Sequence, residues 1–92
     1  MAERNKTDCI VVPMALLTDR RLSASAKLMY GLIAHYQKVS GGFCQATNRE
    51  LAAVYNDCTI SSLQRLIKEL RDGGYIEIVH ISGKVRKIRT LI

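Results

Sequence analysis

The chain has 92 residues, 48% of them hydrophobic, with 14 Lys and Arg against 8 Asp and Glu, a formal charge of +6. That length predicts one folded unit that buries roughly 60% or more of its unfolded surface, a modest core that needs neither metal nor disulfide. The apolar runs are far shorter than the roughly 20 residues of a membrane span, no signal peptide is present, and the positive charge favours polyanionic partners.

Met1 to Asp8 read as a polar, flexible arm, and residues 9–92 as the folded part. Cys9 to Val12 form a strand-like run stopped by Pro13, a residue suited to a strand end or turn. Ser23 or Ser25 then caps a helix that continues to about Lys38. Its main apolar stripe is Leu22, Ala26, Met29, Tyr30, Ile33 and Tyr36, and a second stripe carries Leu28, Leu32, His35 and Val39. Two apolar faces mean more cover than a simple surface helix receives. The Cys9–Leu17 segment can supply it, or a second copy of the chain can. Gly41-Gly42 ends this helix, and Phe43-Cys44 reads as a brief extended segment able to pair with a C-terminal hairpin.

The most informative stretch runs from Thr47 to Ile78. Thr47 and Glu50 make a T-x-x-E capping box, which starts a helix of two to three turns. Asn56 and Asp57 break it, Cys58 fills the corner, and Thr59 caps a second helix over about 59–72. Leu63, Leu66, Ile67 and Leu70 follow the i, i+3, i+4, i+7 rule, opposite a polar face of Ser61, Ser62, Gln64, Arg65 and Lys68. Gly73-Gly74 stops the helix, one glycine in the left-handed conformation. From Tyr75 the period becomes two: Ile76 and Ile78 point one way, Glu77 and Val79 the other. Ser82-Gly83-Lys84 is a turn, and Val85 to Leu91 is the return strand.

The predicted fold class is α+β: a winged helix-turn-helix with three helices, a C-terminal β-hairpin wing and an N-terminal extended segment. Half of the basic residues lie in the last third of the chain, at Arg65, Lys68, Arg71, Lys84, Arg86, Lys87 and Arg89. A polar helix followed by a basic hairpin is a way to place one helix in the major groove of double-stranded DNA. The candidate contacts are Arg65 to guanine and Gln64 to adenine. Thr59, Ser61 and Ser62 stand at the helix start, where hydroxyls and unpaired N–H groups meet phosphate or base edges. Lys68 would reach phosphate, Asn48 and Arg49 the flanking backbone, and Lys84, Arg86 and Lys87 would carry the wing into the minor groove or along phosphates.

Other chemistries have little support. Four tyrosines, one phenylalanine and no tryptophan make a poor stacking platform for single strands, and Tyr30, Tyr36 and Tyr55 fall in core patterns. Cys9, Cys44 and Cys58 are far apart, with neither histidine at metal-ligand spacing, so the expectation is reduced thiols, no metal and no cofactor. No phosphate-binding glycine loop or nucleophile–base pair is recognisable, so no enzymatic activity, small-molecule substrate or membrane partner is expected. A cytoplasmic protein fits this set. A winged-helix protein-interaction module without DNA is the competing reading, supported by the doubly apolar first helix.

The stretches Leu17 to Tyr36, Thr47 to Asn56 and Ser61 to Ile78 resemble the winged-helix N-terminal domains of phage and plasmid replication initiators, and the related helix-turn-helix proteins of mobile elements in Gram-positive bacteria. The matching features are Val12-Pro13, the Leu-Ser-x-x-Ala-Lys-Leu-x-Tyr pattern over Leu22 to Tyr30, Thr-Asn-x-x-Leu-Ala at Thr47 to Ala52, and Ile-Lys-x-Leu-x-x-x-Gly-Tyr-Ile over Ile67 to Ile76. The resemblance implies DNA binding in replication initiation by a cytoplasmic bacterial protein associated with nucleoid or plasmid, with transcriptional regulation of a mobile element as the alternative. It departs at the turn, where Asn56-Asp57-Cys58-Thr59 stands in place of the usual Gly-Val-Ser. That shifts the register by about one residue and leaves Ile60 open between core and groove. The chain stops at Ile92 directly after a strand, the pattern of a DNA-binding head on a longer protein.

Overall fold

The computed structural model describes residues 9–81 and 85–92. The arm expected over residues 1–8, and the Ser82-Gly83-Lys84 turn, lie outside them. The element order is α1 (Met14–Leu17), α2 (Ala24–Val39), α3 (Asn48–Val54), α4 (Ile60–Asp72), β1 (Ile76–Ile81) and β2 (Val85–Thr90). This is a small α+β winged helix-turn-helix fold.

Two features of the N-terminal segment differ from expectation. A fourth helix, α1, is present: the Pro13 carbonyl accepts from Leu16 N at 3.0 Å and Leu17 N at 3.1 Å, and Leu16 is fully buried. One turn is too short to show a helical period in sequence. Cys9 to Val12 are not a strand. Among the described residues the ladder contacts are β1 with β2 and Cys44 with Ile88, so this segment has no strand partner. It packs through Ile10 onto α2 at Gly31, where a Cβ would lie 2.9 Å from Ile10 Cδ1. Only glycine permits that approach. The N-terminal segment therefore covers part of the second apolar stripe of α2. Leu32 is buried, but Leu28 remains 48% exposed and Val39 70%.

The other helices follow their local signals. Ser23 caps α2, its hydroxyl accepting from Ala26 N. Thr47 and Glu50 form the complete capping box of α3. Asn56 and Asp57 both adopt left-handed backbone, with φ of 51° and 54°, and turn the chain into α4, which Thr59 caps by accepting from Ser62 N. That cap sets the register: Ile60 is the first helical residue and is 42% exposed. Gly74, at φ 81°, supplies the left-handed stop after α4.

One core joins Leu16, Met29, Tyr30 and Ile33 to Leu51, Leu63, Leu66, Leu70, Ile76 and Ile88. β1 and β2 pair antiparallel with Ile78 opposite Ile88 and Glu77 opposite Arg89. Cys44 adds a third, one-residue rung: its N–H donates to Ile88 O at 2.8 Å and its carbonyl accepts from Ile88 N at 2.9 Å. The extended segment expected at Phe43-Cys44 thus docks on the hairpin, and burial pushes the Cys44 thiol pKa up.

Candidate nucleic-acid interface

Helix α4 is divided by its own periodicity. Leu63, Leu66, Ile67 and Leu70 are buried, while Ser61, Gln64, Arg65 and Lys68 are exposed on the other side. The buried face packs on α2, α3 and β1, which leaves the polar face turned away from the protein. Thr59 and Ser62 are engaged at the helix start: the Thr59 hydroxyl donates to Ser62 Oγ at 2.9 Å and accepts from Ser62 N at 3.1 Å. Ser62 is half-buried, so Ser61 is the outward hydroxyl of the pair.

The orientation of α4 is held by contacts that no local pattern announces. Glu69 accepts from Ser23 N at 3.0 Å and from Ser23 Oγ at 3.1 Å, so a carboxylate from α4 joins the cap of α2, 46 residues away in sequence. The Tyr55 hydroxyl donates to Ser25 O at 3.1 Å, tying the end of α3 to the start of α2. Below α4, Tyr75 donates to Asp19, which also accepts from Arg21 at 2.8 Å. Arg21, with Tyr75 behind it, holds the Asp19 carboxyl well below the usual carboxylate range.

The basic residues of the last third are less uniform than their number suggests. Among the described residues, Arg65 and Lys68 make no ion pair, whereas Arg71 lies 3.7 Å from Asp72 and Arg89 pairs with Glu77 at 3.1 Å. Lys87 Nζ stands 5.3 Å from the Phe43 ring centroid, a cation–π distance. Lys84 lies outside the described residues. Arg49 on α3 is exposed.

Arg86 departs most from its expected place on a free wing. Alternate residues of a strand share a face, so Arg86 lies on the same side as buried Ile88. Its guanidinium donates from Nη2 to Ala46 O at 2.9 Å and from Nη1 to Asn48 Oδ1. Both Arg86 and Asn48 are half-buried, and desolvation pulls the Arg86 pKa down from its ordinary value. The return strand reads Val85-Arg-Lys-Ile88-Arg-Thr-Leu91, apolar at every third position, so it carries no clear period of two from which the inward face could be read.

Among the described residues, no group of three or more His, Cys, Asp or Glu side chains is gathered as a metal site, and no helix is long and apolar enough to cross a membrane.

No curated protein matches the chain. A solved structure described as "N-Terminal domain of DNA binding protein" is similar with a TM-score of 0.78, covering 95% of this chain and 76% of that one at 16% sequence identity. At that identity the likeness is one of fold. A family model described as a helix-turn-helix domain matches residues 20–76, from the loop before α2 to the start of the wing. That match spans more than half the chain and contains α2, the turn and α4 in the order built up above, and the protein belongs to this helix-turn-helix family.

Proposed function

We propose that this chain is a sequence-specific double-stranded DNA-binding module that lays α4 in the major groove with the wing alongside. The observation that carries the reading is the exposed Ser61, Gln64, Arg65 and Lys68 face, backed by a fully packed leucine face on the second helix of a helix-turn-helix. The similar solved structure, described as part of a DNA-binding protein, supports it. In this reading Arg65 takes guanine, Gln64 adenine and Ser61 a phosphate or base edge, while Lys68, Arg49, Lys84 and Lys87 neutralise backbone charge. Residues 9–92 act as one DNA-binding domain. The resemblance to phage and plasmid initiators makes origin recognition in replication initiation the preferred role, within the bacterial cytoplasm. Transcriptional control of a mobile element uses the same interface.

The test is selection of a bound duplex from a random pool, followed by competition with every single-base variant. Arg65→Ala is expected to lose about 1–3 kcal/mol on the selected site and to relax preference at one base pair. Lys68→Ala is expected to weaken all sequences about equally. Uniform loss in both variants would remove α4 from the groove.

A homodimer is a second element of the proposal. Ile10, Leu28, Leu32, Val54 and Tyr55 line one shallow apolar groove, and Leu28 and Val54 are 48% and 56% exposed. A two-fold pairing there would present two α4 helices to half-sites about one DNA turn apart. Sedimentation at tens of micromolar without DNA is expected to give a dimer that Leu28→Glu dissociates. A wild-type monomer, with Leu28→Glu binding DNA at full strength, would overturn this pairing.

A further inference from the structure

Arg86 and Asn48 form a joint between the two parts of the interface. Arg86 sits on β2 and Asn48 is the first residue of α3, 38 positions apart in sequence. A guanidinium carries only donors, so the amide atom of Asn48 that faces it must be the oxygen. The contact therefore fixes which way the amide is turned. With Oδ1 committed to Arg86, the Nδ2 hydrogens are what Asn48 can offer to another molecule, and among the described residues they have no acceptor. Arg86 is itself doubly engaged, by Asn48 and by the Ala46 carbonyl, and half-buried. It is poorly placed to touch DNA directly.

We infer that Arg86 is a positioning residue for DNA recognition: it locks the wing strand to the start of α3 and turns the Asn48 amide so that its N–H donors face a backbone phosphate. This rests on the DNA-binding reading above and assigns Arg86 a role different from the phosphate contact that its charge suggests. A neutral donor such as Asn48 contributes a hydrogen bond without releasing a counterion. A lysine or arginine on phosphate contributes both.

The two roles separate in the salt dependence. On the duplex selected for the wild-type protein, Arg86→Met and Asn48→Ala are each expected to lose affinity by about tenfold, the scale of one hydrogen bond to a charged acceptor. The double variant should lose no more than the weaker-binding single variant, because Arg86 acts through Asn48. The slope of log affinity against log salt should stay at its wild-type value in Arg86→Met, whereas a lost phosphate contact flattens it by about one. Thermal melting reports whether each variant is folded. If Arg86→Met is not folded, Asn48→Asp carries the test: it keeps an acceptor for Arg86 and so keeps the melting temperature, but it has no donor for phosphate and should bind at least about tenfold more weakly. Additive losses, a slope flattened by one in Arg86→Met, or full-strength binding by Asn48→Asp would overturn the assignment. Failure of the wild-type protein to bind any duplex would instead remove the underlying DNA reading.

Discussion

Replacing Leu63 or Leu70 by alanine is expected to destabilise the fold by about 2–5 kcal/mol, the usual cost of removing a buried leucine side chain and leaving part of its cavity behind. Both side chains are fully buried, two turns apart on α4, and α4 packs on α2, α3 and β1. Glu69 ties α4 to the cap of α2 and Tyr75 ties the following segment to Asp19, contacts that oppose a shift of α4 into the space left. For a protein of this size the loss corresponds to a fall in melting temperature of roughly 10 °C or more. Gln64→Ala, one position along on the exposed face, should change stability by no more than about 0.5 kcal/mol. Thermal or urea melts of the three variants decide it. Wild-type melting of Leu63→Ala or Leu70→Ala would show that the helix presents its other face to the core, and the proposed interface would lose its recognition surface.

Affinity for the selected duplex is expected to fall with a log–log salt slope of roughly −4 to −5, which corresponds to neutralising about four to six phosphates. On α3, α4 and the wing, the described cations free to face DNA are Arg49, Lys68 and Lys87, with Arg65 beside them on guanine, since Arg71 and Arg89 have carboxylate partners and Arg86 is held by Asn48 and Ala46. Lys84, outside the described residues, would add one more. Between 50 and 200 mM salt such a slope lowers affinity by roughly 250- to 1,000-fold. Fluorescence anisotropy across that range measures it directly. A flat slope, or no binding at low salt, would reject DNA as the partner. A slope nearer −7 would mean that every basic residue of the last third reaches phosphate, contrary to the pairing found for Arg71, Arg86 and Arg89.

The exposed apolar residues bear on the competing protein-interaction reading. Leu28 and Val54 remain open even though Ile10 covers Gly31, so the N-terminal segment meets only part of what the second stripe of α2 needs. The proposed DNA contacts and the proposed self-association draw on different residues: none that lines the groove belongs to α4 or the wing, and on α3 the contacts Asn48 and Arg49 open the helix whereas the groove residue Val54 ends it. The salt titration and the sedimentation experiment therefore report on separate proposals.

What the sequence by itself determined is whatever a few neighbouring residues decide. Thr47 with Glu50, Thr59 with Ser62, and Asn56-Asp57 in left-handed backbone are caps and turns closed within three or four positions. The buried stripe of α4 is a repeat within thirteen residues, and it was readable because hydrophobic burial imposes the helical period on composition. Those signals were sufficient for the helix-turn-helix and for the outward Ser61, Gln64, Arg65 and Lys68 of α4, but not for Ser62, which the Thr59 cap holds half-buried. The tertiary structure alone decided which charges remain available and how the wing is attached. Glu69 meets Ser23 across 46 residues, Arg86 meets Asn48 across 38, and Gln37 accepts from Thr90 across 53. Such contacts depend on how α2, α3 and the hairpin pack together, and a polar side chain carries no periodic mark of the partner that packing will bring to it. The pairing of Phe43-Cys44 with the hairpin was legible as an extended segment after a glycine stop, but its single rung at Ile88 was not. Ile10 on Gly31 and Leu16 in the core belong to segments too short to display a period, and there a partner distant in sequence selects one conformation from several that the local residues allow.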